Sequence, residues 1–358
     1  MTDNHSSKPV GIKEIAKALG ISIGTVDRAL HNRGGVNART QAKVLKMAEK
    51  LNYKPNLAAR NLKLNRRVRI AVHLPNEVAS FFDSLRDGIR AAAASVPGVR
   101  LDLDFRSYPR LGEGDVESME RDLKAGYDGL LITPGNPTKV EPVIREFTAA
   151  GTAVVCVASD APRSGRLTSV CVDAAVSGGI AAELLGKVVR AEGAVASITG
   201  DLSTYDHGEK FRGFAGTLAT VAPHLTLLPV VETHEKTTDA YKATLDLLKR
   251  RHRPQGLYIS TANSLPVFQA LREQSLLGKI EIVTTDLFSE LALLLDAGKI
   301  FATIYQRPFA QGKIAFETII QHLVNGTAPE TSTRLAPHII LRSNLPLFPS
   351  KLERGSDF

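Results

Sequence analysis

Six polar residues of this chain stand directly after short apolar runs. They are Asn136 after "GLLITPG", Asp160 after "AVVCVAS", Asp173 after "SVCV", Asn263 after "GLYISTA", Asp286 after "EIVTT" and Gln306 after "ATIY". Carboxylates and carboxamides in such places exchange hydrogen bonds with hydroxyl groups. In doubly wound α/β sheets, the loops that follow strands are where ligands bind. Asp160 and Asp173 also form a carboxylate pair of the kind acid–base catalysis uses, but in a cleft that binds polyols two acids act as hydroxyl acceptors. The sequence carries no glycine-rich phosphate loop, no HxxxH-type metal spacing and no GxSxG elbow. No catalytic residue, metal site or cofactor is therefore expected, and the chemistry is binding.

A second chemistry concerns polyanions. The net charge of +8 is unevenly placed: residues 1–69 hold 15 Lys and Arg against 4 Asp and Glu, whereas the other 289 residues hold 30 against 33. Folding gives no reason to segregate charge in this way, and a basic module on a slightly acidic body points to a nucleic-acid partner.

The elements that position these groups follow from periodicity. Ile12, Ile15, Ala16 and Leu19 recur at helical spacing, and Gly20 ends that segment. Ser22 caps a second helix with Val26 and Leu30 on one face, and Asn37 caps a third with Val44, Leu45, Ala48 and Leu51 inward. Three short helices, the first two joined by a Gly-containing turn, read as a helix-turn-helix. Pro55 breaks the third helix and Asn56 caps a new one, too short to persist alone in water. From Val68 onward, apolar strand-like runs alternate with helical stretches, which implies parallel, doubly wound sheets. About 280 residues exceed one core, so two α/β lobes are expected. Cys156 and Cys171 lie in apolar runs without CxxC spacing and read as buried thiols. No membrane span or signal peptide is evident, so the expected location is cytoplasmic.

The segments "IKEIAKALGISIGTVDRAL" and "VNARTQAKVLKMAEKLNYKPNLAARNL", followed by "GLLITPGN", "SITG", "FRGF", "TANSLPVFQAL" and "ATIYQRP", resemble the LacI family of bacterial repressors over roughly residues 9–346. The resemblance implies an all-α helix-turn-helix DNA-binding domain (1–55) and a hinge helix with linker (56–67). A two-lobed α/β domain like the periplasmic binding proteins (68–348) and a tail (349–358) follow. It also implies a homodimer on near-palindromic double-stranded operator DNA, controlled by a small sugar, polyol or sugar acid, with no membrane role. The alternative is a periplasmic-type sugar receptor without a DNA role.

On this resemblance, residues 23–31 form the recognition helix. Ile23 meets a thymine methyl, Gly24 allows close backbone approach, and Thr25 and Arg28 contact phosphate or base. Arg33 and Arg60 belong to a group of phosphate-binding cations. Asn56, Ala59 and Leu62 lie on the hinge helix, where Leu62 wedges between base pairs from the minor groove. In the body, Asn263, Asp286 and Gln306 match hydroxyl-binding positions, Phe81 and Phe82 match an aromatic pair that stacks on a sugar, and Asn136, Asp160 and Asp173 stand nearby. His207 and Lys210 replace an expected Arg; they either favour an acidic or phosphorylated sugar or face solvent.

Asp27 departs from the family, which has Ser there. An acid beside phosphates weakens the grip, so it either accepts from a cytosine amino group or orients Arg28 or Arg33. Selection from a randomised DNA pool with wild-type and Asp27→Ser proteins separates the two. The expected result is an unchanged selected sequence with altered affinity. A shift of about 1–3 kcal/mol in base preference at one position would assign Asp27 to direct readout.

Overall fold

The computed structural model describes residues 11–30, 34–51, 53, 67–190 and 192–348. The chain forms two compact units, the second starting at Arg67. The first contains α1 (Ile12–Leu19), α2 (Ile23–Leu30) and α3 (Ala38–Lys50). Local chemistry sets their ends. Glu14 accepts the Gly11 N–H at 2.8 Å, and Gly20 closes α1 in the left-handed region at φ +64°. Ser22 Oγ accepts the Thr25 N–H at 3.1 Å, and Asn37 Oδ1 accepts the Thr40 N–H at 2.8 Å. Ile15, Ala16, Val26, Ala29 and Val44 form the buried centre. Leu45 does not face inward as expected: it is 49% exposed. The apolar stripe of α3 runs through Val44, Met47, Ala48 and Leu51, and Leu45 lies one residue, about 100° of helix rotation, away from it.

The second unit begins with β1 (Arg67–Pro75), α4 (Ala79–Ala94), β2 (Arg100–Tyr108), α5 (Asp115–Asp122), β3 (Gly129–Ile132), α6 (Pro137–Ala149), β4 (Ala153–Val157) and β5 (Thr168–Val172). The chain then builds a second lobe from α7 (Ala174–Val188), β6 (Gly193–Thr199), α8 (Tyr205–Val221), β7 (Leu225–Leu227), β8 (Val231–Glu232), α9 (Thr237–Lys249), β9 (Gly256–Ile259), α10 (Leu265–Glu273), β10 (Glu281–Thr285), α11 (Ser289–Asp296) and β11 (Ala302–Tyr305). It returns to the first lobe as α12 (Pro308–Asn325), which packs on α4, and as β12 (Thr333–Leu335). Finally β13 (His338–Ile340) pairs antiparallel with β11 in the second lobe. The sheet orders are β12-β5-β4-β3-β1-β2, all parallel, and β13-β11-β10-β9-β6-β7. The run "LLPVVE" gives two short strands rather than one, β7 and β8, both paired to β6. Pro229 between them has no N–H to donate to the ladder.

Buried apolar strands fill both lobes, as their near-continuous hydrophobic runs require. Cys156 and Cys171 are buried in β4 and β5, and burial pushes the Cys171 thiol up to about 12. Each lobe holds one helix pair at close approach. A Cβ on Gly88 would collide with the Phe309 carbonyl oxygen, and one on Gly312 with that of Leu85, which fixes α4 against α12. In the same way Gly178 and Gly213 bring α7 and α8 together, against the carbonyl oxygens of Lys210 and Ala175. Gly216 lies one turn beyond Gly213 on α8, and nothing stands within 4 Å of a Cβ there.

Gly213 and Gly216 therefore predict effects of opposite sign. Gly213→Ala should destabilise by about 1–3 kcal/mol or more through overpacking, whereas Gly216→Ala should stabilise by about 0.4–1 kcal/mol. Calorimetric melting of the two variants checks this; equal shifts would contradict the packing described.

Candidate functional site

In the first unit, α2 presents Ile23 (49% exposed), Gly24 and Arg28 to solvent. Thr25 is half-buried, its hydroxyl 2.8 Å from that of Ser22. Asp27 is also half-buried. It lies near Tyr53, whose phenol is raised by burial and then by the Asp27 charge. The expected DNA contacts Arg33, Asn56, Ala59, Arg60 and Leu62 lie outside the described residues.

In the second unit, a cavity lies between the lobes, at the carboxyl ends of their strands. From the first lobe come Glu77 and Val78 after β1, Phe81 and Phe82 on α4, Arg110 and Leu111 after β2, Thr133 after β3, and Ala158 and Ser159 after β4. The second lobe adds Asp206, His207 and Lys210 from the first turns of α8, Glu235 before α9, Ser260 and Ala262 after β9, Asp286 after β10 and Gln306 after β11. Phe81 and Phe82 meet edge to face, with centroids 5.0 Å apart at 76°.

The backbone is strained where it forms this cavity. Val78 (φ +58°), Ala158 (+64°), Glu235 (+55°) and Asp286 (+70°) line it in the left-handed region. His234 (+49°) and Arg307 (+58°) directly flank lining residues. Ser275 is the one non-glycine residue with positive φ elsewhere among the described residues. Such conformations cost of order 1–3 kcal/mol each and persist only where surrounding structure dictates them. For β-branched Val78 the conformation is an outlier.

The ionisable groups are largely paired. Lys210, 1% exposed, donates from Nζ to Asp206 Oδ2 at 2.6 Å, one helical turn away. His207 Nδ1 accepts the Asp201 N–H at 3.1 Å, which puts the ring proton on Nε2, 3.2 Å from Glu235 Oε1. Glu235 also accepts from the Thr261 hydroxyl at 2.8 and 2.9 Å. Arg110 donates to both oxygens of Glu77, at 3.1 and 3.2 Å, and these bonds first of all hold its guanidinium pKa up. Four carboxylates thus face two permanent cations, and the His207 and Lys210 side chains are already engaged. That balance does not suit an acidic ligand. Asp286 accepts from Gln306 Nε2 at 2.9 Å through Oδ2, while its Oδ1 has no partner. Burial raises its carboxyl to about 6, against the pull of Lys210 and the Gln306 contacts. Thr133 Oγ1 and Ser159 Oγ are likewise buried and unpartnered.

The cavity brings together Phe81, Phe82, His207, Lys210, Asp286 and Gln306 from the residues expected by sequence. Three others are placed elsewhere. Asn136 caps α6 through the Thr138 N–H at 2.9 Å. Asp160 is held inside the first lobe by Arg166, with Nη2 to Oδ2 at 2.6 Å, and by Ser169 Oγ at 3.0 Å. Asp173 caps α7 and pairs with Arg334 at 2.7 Å. Asn263 lines an outer groove that adjoins the cavity. Sequence reasoning missed Glu77, Arg110, Thr133, Ser159, Asp206 and Glu235. Asp206 carried a usable signal, four residues before Lys210 on one helix face. Glu235 carried none, because an unusual backbone conformation brings it in.

Residues 70–327 match the periplasmic binding protein domain, and residues 11–56 match the family described as bacterial regulatory proteins, lacI family. The chain is 24% identical over 347 residues to the ribose operon repressor of Escherichia coli K12, covering 93% of this chain and 99% of that one. It is 22% identical over 341 residues to the HTH-type transcriptional repressor PurR of Vibrio atlanticus, covering 93% and 98%. Its fold resembles the solved structure of GanP, a glucose-galactose binding protein from Geobacillus stearothermophilus. The TM-score is 0.73 and the identity 23%, over 78% of this chain and 99% of that one.

The raised Asp286 pKa makes the folded, ligand-free protein bind more protons than the unfolded chain between about pH 4 and 6. Its contribution to stability therefore falls as pH rises through that window, and at neutral pH the buried charge costs on the order of 2–3 kcal/mol. Asp286→Asn should raise the melting temperature of the free protein more at pH 8 than at pH 5. A gain that is equal at both pH values would show that Asp286 carries no such penalty.

Proposed function

Because the chain belongs to the lacI family of bacterial regulatory proteins, we propose that it is a cytoplasmic, homodimeric repressor. Its operator affinity is set by a neutral sugar or polyol bound between the lobes. One observation carries the ligand class. Thr133 Oγ1, Ser159 Oγ and Asp286 Oδ1, from both lobes, line one cavity without protein partners, beside the Phe81–Phe82 pair. A sugar offers hydroxyls to those atoms and an apolar ring face to the aromatics. The charge balance favours a ligand without negative charge, and relatives named for ribose and for glucose and galactose support a carbohydrate.

The exposed Ile23, Gly24 and Arg28 of α2 support base contact by this helix. Ligand binding that favours one lobe arrangement alters the DNA-competent population, a coupling free energy between two sites. The alternative of a receptor without a DNA role has no place for the lacI-type match over residues 11–56.

Asp286→Ala and Gln306→Ala should each weaken sugar binding by about 1–3 kcal/mol, since each leaves a buried group unpaired, while ligand-free operator binding stays near normal. A hydroxyl donated to ionised Asp286 lowers its pKa on binding. Wild-type affinity should therefore fall as pH drops through about 6. Calorimetry across pH 5–8 checks both; unchanged affinity in both variants would remove these residues from the site.

A further inference from the structure

The inner cavity does not end at its own wall. Glu77, Val78, Glu235 and Ala262 form a waist that also lines a second compartment at the mouth between the lobes. Its far wall is the first turn of α10 with the loop into α11. Leu265 stands there 43% exposed beside half-buried Phe288, across from Ser80 on α4. Asn263 and Glu290 lie in the same wall. Ser264 is fully buried in it, and its Oγ neither caps α10 nor finds any other partner. The ionisable residues lining this compartment are glutamates only, Glu77, Glu235 and Glu290.

We infer that the effector extends through the waist, with a second, uncharged sugar ring in the mouth, so that the ligand is a neutral disaccharide or comparable glycoside. The inference rests on the carbohydrate reading of the cleft given above. An apolar surface of Leu265 and Phe288 edged by an amide and hydroxyls is complementary to a sugar ring, whose CH face is apolar and whose rim is polar. Glu77 and Glu235 already hold Arg110 and His207, and Glu290 brings a further negative charge; no lysine or arginine among the described residues lines that end, which disfavours a uronic acid or phosphate ester there. A single ring held in the inner cavity would leave the mouth in water with Leu265 exposed.

Titration calorimetry of the full-length protein with glucose and galactose, and with maltose, cellobiose, lactose and melibiose, tests this. At least one disaccharide should bind tenfold or more tightly than either component monosaccharide. Asn263→Ala with Leu265→Asp should abolish that gain and leave monosaccharide affinity within about twofold, with the melting temperature unchanged. The uronic acid counterpart of the favoured disaccharide, such as cellobiuronate for cellobiose, should lose the gain. Monosaccharide binding without a disaccharide gain, or a gain that survives the double variant, overturns the second ring alone. A gain retained by the uronate overturns its neutrality. No binding by any sugar of either size overturns the carbohydrate reading and this inference together.

Discussion

Three passages of the chain between two sheets constrain everything else in the larger unit. They run from β5 to α7 at Asp173, from β11 to α12 at Gln306 and Arg307, and from β12 to β13 at Ala336 and Pro337. Two are tied to each other: the Asp173 N–H donates to the Leu335 carbonyl, and the Asp173 carboxylate pairs with Arg334 while capping α7. The third carries Gln306 directly onto Asp286 in the cavity. A ligand that touches Asp286 and Gln306 therefore touches one of the segments about which the lobes would turn, the geometry of a hinge between domains. The helix pairs locked by glycines, α4 with α12 and α7 with α8, make each lobe stiff enough to move as a body.

Within the cleft, polar side chains on either wall are arranged as pairs, each drawn from a single lobe. Lys210 with Asp206 and His207 with Glu235 belong to the second lobe, Arg110 with Glu77 to the first. None of these three pairs spans the gap, so bringing the lobes together breaks none of them. The groups left without partners, Thr133, Ser159 and Asp286, are neutral hydroxyls and one carboxyl with a raised pKa. Buried polar atoms of this kind are expensive to leave unsatisfied, so these three atoms are the ones with hydrogen-bonding capacity to spare on the cleft walls.

The order of strands and helices was legible in the sequence, because buried parallel strands are continuous apolar runs and amphipathic helices repeat with a 3.6 period. Asp286 and Gln306, named from strand ends, line the cavity. The same rule also named Asn136, Asp160 and Asp173, which the fold uses as helix caps and as the partner of Arg166. Strand position alone cannot separate these outcomes: a polar side chain at the start of a helix has a backbone donor to satisfy as near to hand as any ligand. Arg166, six residues beyond Asp160, decides that acid's fate through tertiary contact alone. Glu235 and Val78 were invisible for another reason. Their side-chain types are unremarkable, and what brings them to the cavity is a left-handed backbone that neither residue favours.

Those strained residues divide the cleft into two kinds of position. At Thr133, Ser159, Ser260 and Phe82 the backbone is ordinary, and exchanging the side chain alters what the cavity recognises without touching its frame. At Val78, Ala158, Glu235 and Asp286 the main chain already sits in a conformation that glycine or asparagine adopts more readily. Selection for heat resistance alone would drift toward those residues there, relaxing the loops that hold the cleft in shape. Efforts to redesign the cleft for a different small molecule would accordingly randomise the first group and hold the second fixed.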